Sequence, residues 1–138
     1  MNKPLHTLSK EAFAPYGELL EPDISRDHPF QIIVQEPDSM GWRIAISQLK
    51  QQPIYKLGRH SDSRESFEPL SGVSMIIVAR QLSDEIEAFL LDRPVCLFKN
   101  IWHATTALSD RAVLKITENN HVSADEYMLP EAITIGVV

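Results

Sequence analysis

Lys56-Leu-Gly-Arg-His60-Ser-Asp62-Ser-Arg64-Glu65-Ser-Phe-Glu-Pro-Leu-Ser-Gly72 runs straight into Val73-Ser-Met-Ile-Ile-Val-Ala79. The second half is strongly apolar and β-branched, and it reads as a buried strand. The first half carries a histidine, a carboxylate five residues on and a glycine seven residues after that. A second stretch, Phe98-Lys-Asn100-Ile-Trp102-His103, follows across more strand-like sequence. The two polar stretches read as two halves of one site, set between strands.

Outward from this centre the pattern repeats. Pro53 to Leu57, Ile86 to Leu91, Val95 to Phe98 and Ala112 to Glu118 read as strands on the C-terminal side and just before it. On the N-terminal side Glu18 to Glu21, Phe30 to Gln35 and Trp42 to Leu49 do the same. In the last of these, Trp42, Ile44, Ile46 and Gln48 share one face, and Arg43, Ala45, Ser47 and Leu49 the other. The tail adds Tyr127 to Pro130 and Ile133 to Val138. Ser9 is placed to cap a brief helix over residues 10–14, which Pro15 stops. Eight or more short strands with turns between them, no βαβ alternation and no internal repeat predict an all-β sandwich or barrel. Nothing suggests a linker, so residues 1–138 are expected to form one domain.

The chain has 138 residues, 43% hydrophobic and 23% charged, with a net charge of -6. That balance disfavours nucleic acid, which needs a basic face. The one cysteine, Cys96, cannot form an intrachain disulfide and reads as a buried, inert thiol. The opening residues lack a long apolar core, and no run approaches a membrane span. A cytoplasmic protein with no membrane partner is expected.

His60, Asp62 and Glu65 set an imidazole near two carboxylates. His60 and Asp62 share a face if the segment is extended, and Glu65 joins them through a bend at residues 61–63. His103 would add a second imidazole. Such a set binds a divalent metal or serves as acid and base without one. The plainer reading is a surface His60 and a half-buried His103. Arg59, Arg64 and Lys115 are the basic residues suited to hold a substrate carboxylate, and Arg43 is similar.

At these residues the chain resembles the cupin superfamily. His60-x-Asp62-x-x-Glu65-x6-Gly72 is similar to the first cupin motif, and Phe98-x-Asn100-x-x-His103 to the second, Pro-x-Gly-x-x-His. Within cupins it resembles ureidoglycolate lyase, formerly ureidoglycolate hydrolase. The opening Leu8-Ser-Lys-Glu-Ala-Phe-Ala-Pro-Tyr-Gly17, Arg59-His60, Phe67-x-Pro69 and Asn100-Ile-Trp102-His103 carry that likeness. Asp62 stands where a metal cupin has its second histidine; Phe98 and Ala104 stand where the lyases often have histidines. The resemblance implies a jelly-roll β-barrel with a short N-terminal helix. It implies a carbon–nitrogen lyase of allantoin and purine degradation that releases urea from ureidoglycolate to give glyoxylate. His60, Glu65 and His103 would be the metal-facing or acid–base set, with Asp62 a further ligand and Arg59 or Arg64 on the substrate carboxylate. The metal would be nickel, manganese, zinc or iron, and the assembly a homodimer, with the apolar tail a candidate for pairing within the barrel or across a dimer. The alternatives are a different cupin enzyme on a small hydroxy or keto acid or a sugar derivative, and a cupin that binds a small ligand without catalysis.

Overall fold

The computed structural model describes residues 1–38 and 40–136. Within them nine strands and one short helix follow in the order β1 (Asn2–His6), α1 (Lys10–Phe13), β2 (Gly17–Leu19), β3 (Trp42–Lys50), β4 (Ile54–Arg59), β5 (Glu65–Ala79), β6 (Glu87–Leu90), β7 (Val95–Leu97), β8 (Trp102–Asn119) and β9 (Asp125–Gly136). The strand order is β2-β7-β5-β6-β1-β9-β4-β8-β3, and β5 also pairs with β8. That added pairing closes the sheet on itself.

β5 and β8 are the long members and run antiparallel, from Glu65 opposite Glu118 to Ala79 opposite Trp102. Their register shifts between Pro69 and Ser71 and again between Gly72 and Ser74. Gly72 takes φ +72°, where a Cβ would run into the Arg111 carbonyl. Only glycine meets both demands.

Alternation along these strands builds a core on each face. One face gathers Phe67, Ile76, Val78, Leu97 and Leu114 with Phe13 and Tyr16 of the N-terminal segment. The other gathers Met75, Ile77, Trp102, Leu57 and Ile133. α1 is capped as its sequence suggests: Ser9 Oγ accepts from Ala12 N at 3.0 Å, and Phe13 is fully buried. Cys96 is buried too, and desolvation pushes its thiol up to about 11.

Some elements differ from their sequence reading, among them Val73 to Ala79, which is only the second half of β5. Phe30 to Gln35 forms no strand, because among the described residues no other strand lies alongside to pair with it; Phe30 is 81% exposed. Ala112 to Glu118 is only the second half of β8, which starts at Trp102. The two tail segments are one strand, β9, through Pro130. Within the described residues β9 pairs with β1 and β4 of the same chain, so that part of the tail is used inside the barrel; Val137 and Val138 lie outside the described residues. Among the described residues no helix is long and apolar enough to cross a membrane.

Candidate metal centre

His60 follows the end of β4, Glu65 opens β5 and His103 is the second residue of β8. The chain turns back at residues 60–64, which carries Glu65 beneath His60. Gly58 pairs with His103 across β4 and β8, which brings the second imidazole alongside. Their ligand atoms all lie within 4.8 Å of one another. His103 Nε2 is 2.8 Å and His60 Nε2 3.3 Å from the same oxygen, Glu65 Oε1.

The outer nitrogens decide how the rings are used. His60 Nδ1 donates to the Ser123 carbonyl at 2.8 Å, and His103 Nδ1 donates to the Ile101 carbonyl at 2.9 Å. Each neutral ring therefore carries its lone pair on Nε2, facing the carboxylate. That is how metal-ligating histidines are oriented. Glu65 Oε1 is buried and has no aligned hydrogen-bond donor despite its close neighbours. Two lone pairs and an oxyanion aimed at one point repel unless a cation or proton stands between them. The donor set therefore fits a divalent metal.

With no metal, protons do that work. Burial would raise the Glu65 carboxyl, but the two histidines outweigh it and bring it down to about 2. Contact with Glu65 lifts His60 to about 9 against the opposing effect of burial. The Phe67 ring, 5.6 Å from the His103 ring, closes the apolar side.

The second polar stretch supports the first. Asn100 takes φ +68°, a region where Asn is tolerated better than most residues. It occupies the position of the motif glycine, and its N–H donates to the His60 carbonyl at 2.8 Å.

The remaining sequence candidates lie elsewhere. Asp62 does not join the cluster. Its carboxylate turns to Ser123, accepting from the backbone N–H at 3.0 Å and from Oγ at 3.1 Å, and that backbone N–H holds its pKa below the ordinary value. The segment bends at Asp62 instead of staying extended, so the shared face with His60 is lost. Since Ser123 also holds His60, Asp62 steadies the site from outside. Arg59 bonds Asp125 at 2.9 Å and lies 4.5 Å from the Trp102 ring, on the face of β8 away from His103. Arg64 pairs with Glu36 at 3.1 Å and covers the Phe98 ring. Lys115 pairs with Glu68 on the face opposite Leu114 and Ile116.

Sequence reading missed one acidic residue. Glu118 of β8 brings a buried carboxylate 3.8 Å from His60 Nε2, and Arg43 of β3 holds its other oxygen at 2.6 Å. The signal was the alternation Ala112, Leu114, Ile116, Glu118, an apolar face that ends in an acid.

No family model and no curated protein matches the chain. Solved structures do. Vicilin from tomato (Solanum lycopersicum) superposes with a TM-score of 0.51 at 18% identity, over 64% of this chain and 26% of vicilin. Oxalate decarboxylase of Bacillus subtilis, described with Mn(II) centres, gives 0.50 at 13% identity, over 66% of this chain and 24% of the enzyme. The fold is a cupin jelly roll. A dTDP sugar isomerase from Desulfovibrio desulfuricans G20 gives 0.49 at 14% identity, over 83% and 82% of the two chains. This cupin barrel spans about a quarter of the vicilin and oxalate decarboxylase chains. At such identities the likeness fixes the fold, and activity has to be argued from the site.

Proposed function

We propose that this cupin is a metal-dependent enzyme that acts on a small carboxylate, with ureidoglycolate as the substrate its sequence resemblance implies. One observation carries the metal reading: His60 and His103 are both tied at Nδ1 to backbone carbonyls and both aim Nε2 at Glu65 Oε1. His60, Glu65 and His103 would hold the ion. A divalent cation bound there would hold the substrate through hydroxyl and carboxylate and make the hydroxyl more acidic. The manganese of oxalate decarboxylase makes Mn(II) a natural first choice among nickel, manganese, zinc and iron.

The reaction is an elimination. The substrate hydroxyl gives up its proton, the carbon–nitrogen bond breaks as the carbonyl forms, and the leaving nitrogen takes a proton. Glyoxylate and urea result. The chain's part is orientation. The Ser123 and Ile101 carbonyls keep both rings turned inward, and Phe67 screens one side from water.

Acid–base catalysis by the same three residues without metal is less well served. A carboxyl near 2 is a weak base and an imidazole near 9 a weak acid at neutral pH, whereas proton transfer is best near the working pH. Such shifts suit a cluster in which a proton fills the place of a cation.

We also propose a homodimer built on β3. It is a terminal strand of the sheet, and its outer face leaves Trp42, Ile44 and Ile46 70%, 53% and 56% exposed. Antiparallel pairing of two β3 edges about Ile46 sets Trp42 of each copy opposite Lys50 of the other, bringing the two apolar rows side by side without opposing like charges.

The test is glyoxylate release from ureidoglycolate by protein reconstituted with each of the four metals, beside a panel of hydroxy acids, keto acids and sugar derivatives. His103→Ala is expected to abolish turnover in a barrel that still folds. Unchanged turnover in that variant sinks the assignment, and activity confined to another panel member replaces the substrate.

A further inference from the structure

Glu118 lies directly across the β5–β8 ladder from Glu65. Both face the barrel interior, with side chains 8% and 9% exposed. Like charges paired across strands are destabilising, and burial makes them more so. Oε1 of each carboxylate is buried without a hydrogen-bond partner. Glu118 Oε2 is already taken, since Arg43 Nε and Nη2 donate to it at 2.8 and 2.6 Å. The unpartnered Oε1 is left 3.8 Å from His60 Nε2.

Donors around one ion, bonded at about 2.1 Å, stand roughly 3 Å apart when adjacent and about 4 Å apart when opposite. The 2.8 and 3.3 Å separations join His103 and His60 to Glu65. Glu118 Oε1 stands outside that tight group of three and approaches it from the His60 side, at 3.8 Å, a spacing two donors on one ion can take.

We propose that Glu118 is the fourth protein ligand of the divalent-cation site, and that Arg43 is the positioning residue that leaves its Oε1 free for the ion. The inference rests on the metal reading above. Glu118 thereby fills the place expected of Asp62. Two imidazoles and two carboxylates suit Mn(II) or Fe(II), ions that accept both donor types. Two carboxylates, one guanidinium and one dication leave a single positive charge. The substrate class that neutralises it is a small monoanion, such as a carboxylate with a neighbouring hydroxyl.

The experiment titrates Mn2+ into chelator-treated full-length protein, read by calorimetry and by loss of the free-ion magnetic resonance signal. Glu118→Gln is expected to weaken Mn2+ binding at least ~10-fold, and Arg43→Gln ~10- to 100-fold through loss of the clasp. Thermal melting supplies a second readout. Whatever its own metal-free melting temperature, the Glu118→Gln variant should lose most of the rise in Tm that Mn2+ gives wild type. If that variant does not fold, Glu118→Asp, with its carboxylate drawn back by one methylene, carries the same comparison. Equal Mn2+ affinity in wild type and the Glu118 variant overturns the assignment of Glu118 alone. Failure of wild type to bind Mn2+, Fe2+, Ni2+ or Zn2+ overturns the metal reading with it.

Discussion

His60 and Glu65 hold the least ordinary chemistry in the chain, and it makes stability depend on pH in a definite direction. In the metal-free protein His60 is lifted from 6.5 to about 9. Its contribution is complete below 6.5 and fades as pH rises through 9. Glu65 is lowered from 4.5 to about 2. Its contribution is complete above 4.5 and fades as pH falls through 2. The metal-free barrel should therefore be most stable between those two ordinary values, with Tm falling on both sides in a buffer series. A flat profile across pH 6.5 to 9 would remove His60 from this account. Metal must displace the His60 proton, so apparent affinity should climb as pH rises toward 9. Spacing alone left His60, Glu65 and His103 balanced against a plainer surface reading, and it was the motif resemblance that singled them out together; the fold brings their ligand atoms within 4.8 Å of one another. Arg59, Arg64 and Lys115 could not be placed, because a charge in a sequence does not say which face of a strand it takes.

At the scale of elements, the site depends on two backbone devices. The register shifts in β5 bring Glu65 opposite Glu118, and the turn before β8 ties Asn100 to His60. Asn100→Val should destabilise the fold by about 1–2 kcal/mol, since a β-branched residue resists positive φ. Asn100→Gly should be tolerated. Denaturant melts of the two variants check this, and equal stability would mean the left-handed turn is not required. The strands with apolar runs were readable from composition. For Glu118 the alternation from Ala112 gave only its face; that it lies across from Glu65 follows from bulges no local pattern announces. Phe30 to Gln35 failed for a related reason: strand propensity is only an offer to pair, and the described residues supply no partner for it.

At the scale of the molecule, the barrel encloses His60, Glu65 and His103 and leaves an apolar row on the outside. The proposed β3 dimer predicts that Trp42→Lys, which would face Lys50 of the other copy, combined with Ile46→Lys, which would face itself, yields a monomer by sedimentation, with Mn2+ binding kept. A wild-type monomer at micromolar concentration would rule the β3 assembly out. The all-β class was readable because strand alternation and turn chemistry recur along the whole chain; the cupin topology came only with the resemblance of the two motif stretches. An external face was not readable, because the same alternation marks an inner wall and an outer contact alike.

Cys96 lines a groove of about 810 Å³ together with Phe30, Ile33, Val34 and Trp42. It is the chain's single thiol. Desolvation keeps it protonated at neutral pH, so it attacks a disulfide reagent, expelling the reagent's leaving thiol, only when the groove opens, water reaches the sulfur and the thiolate can form. The protein thus carries its own stopwatch. The half-time of thiol labelling measures how often the buried wall of this groove opens, and any contact that closes the groove should lengthen it.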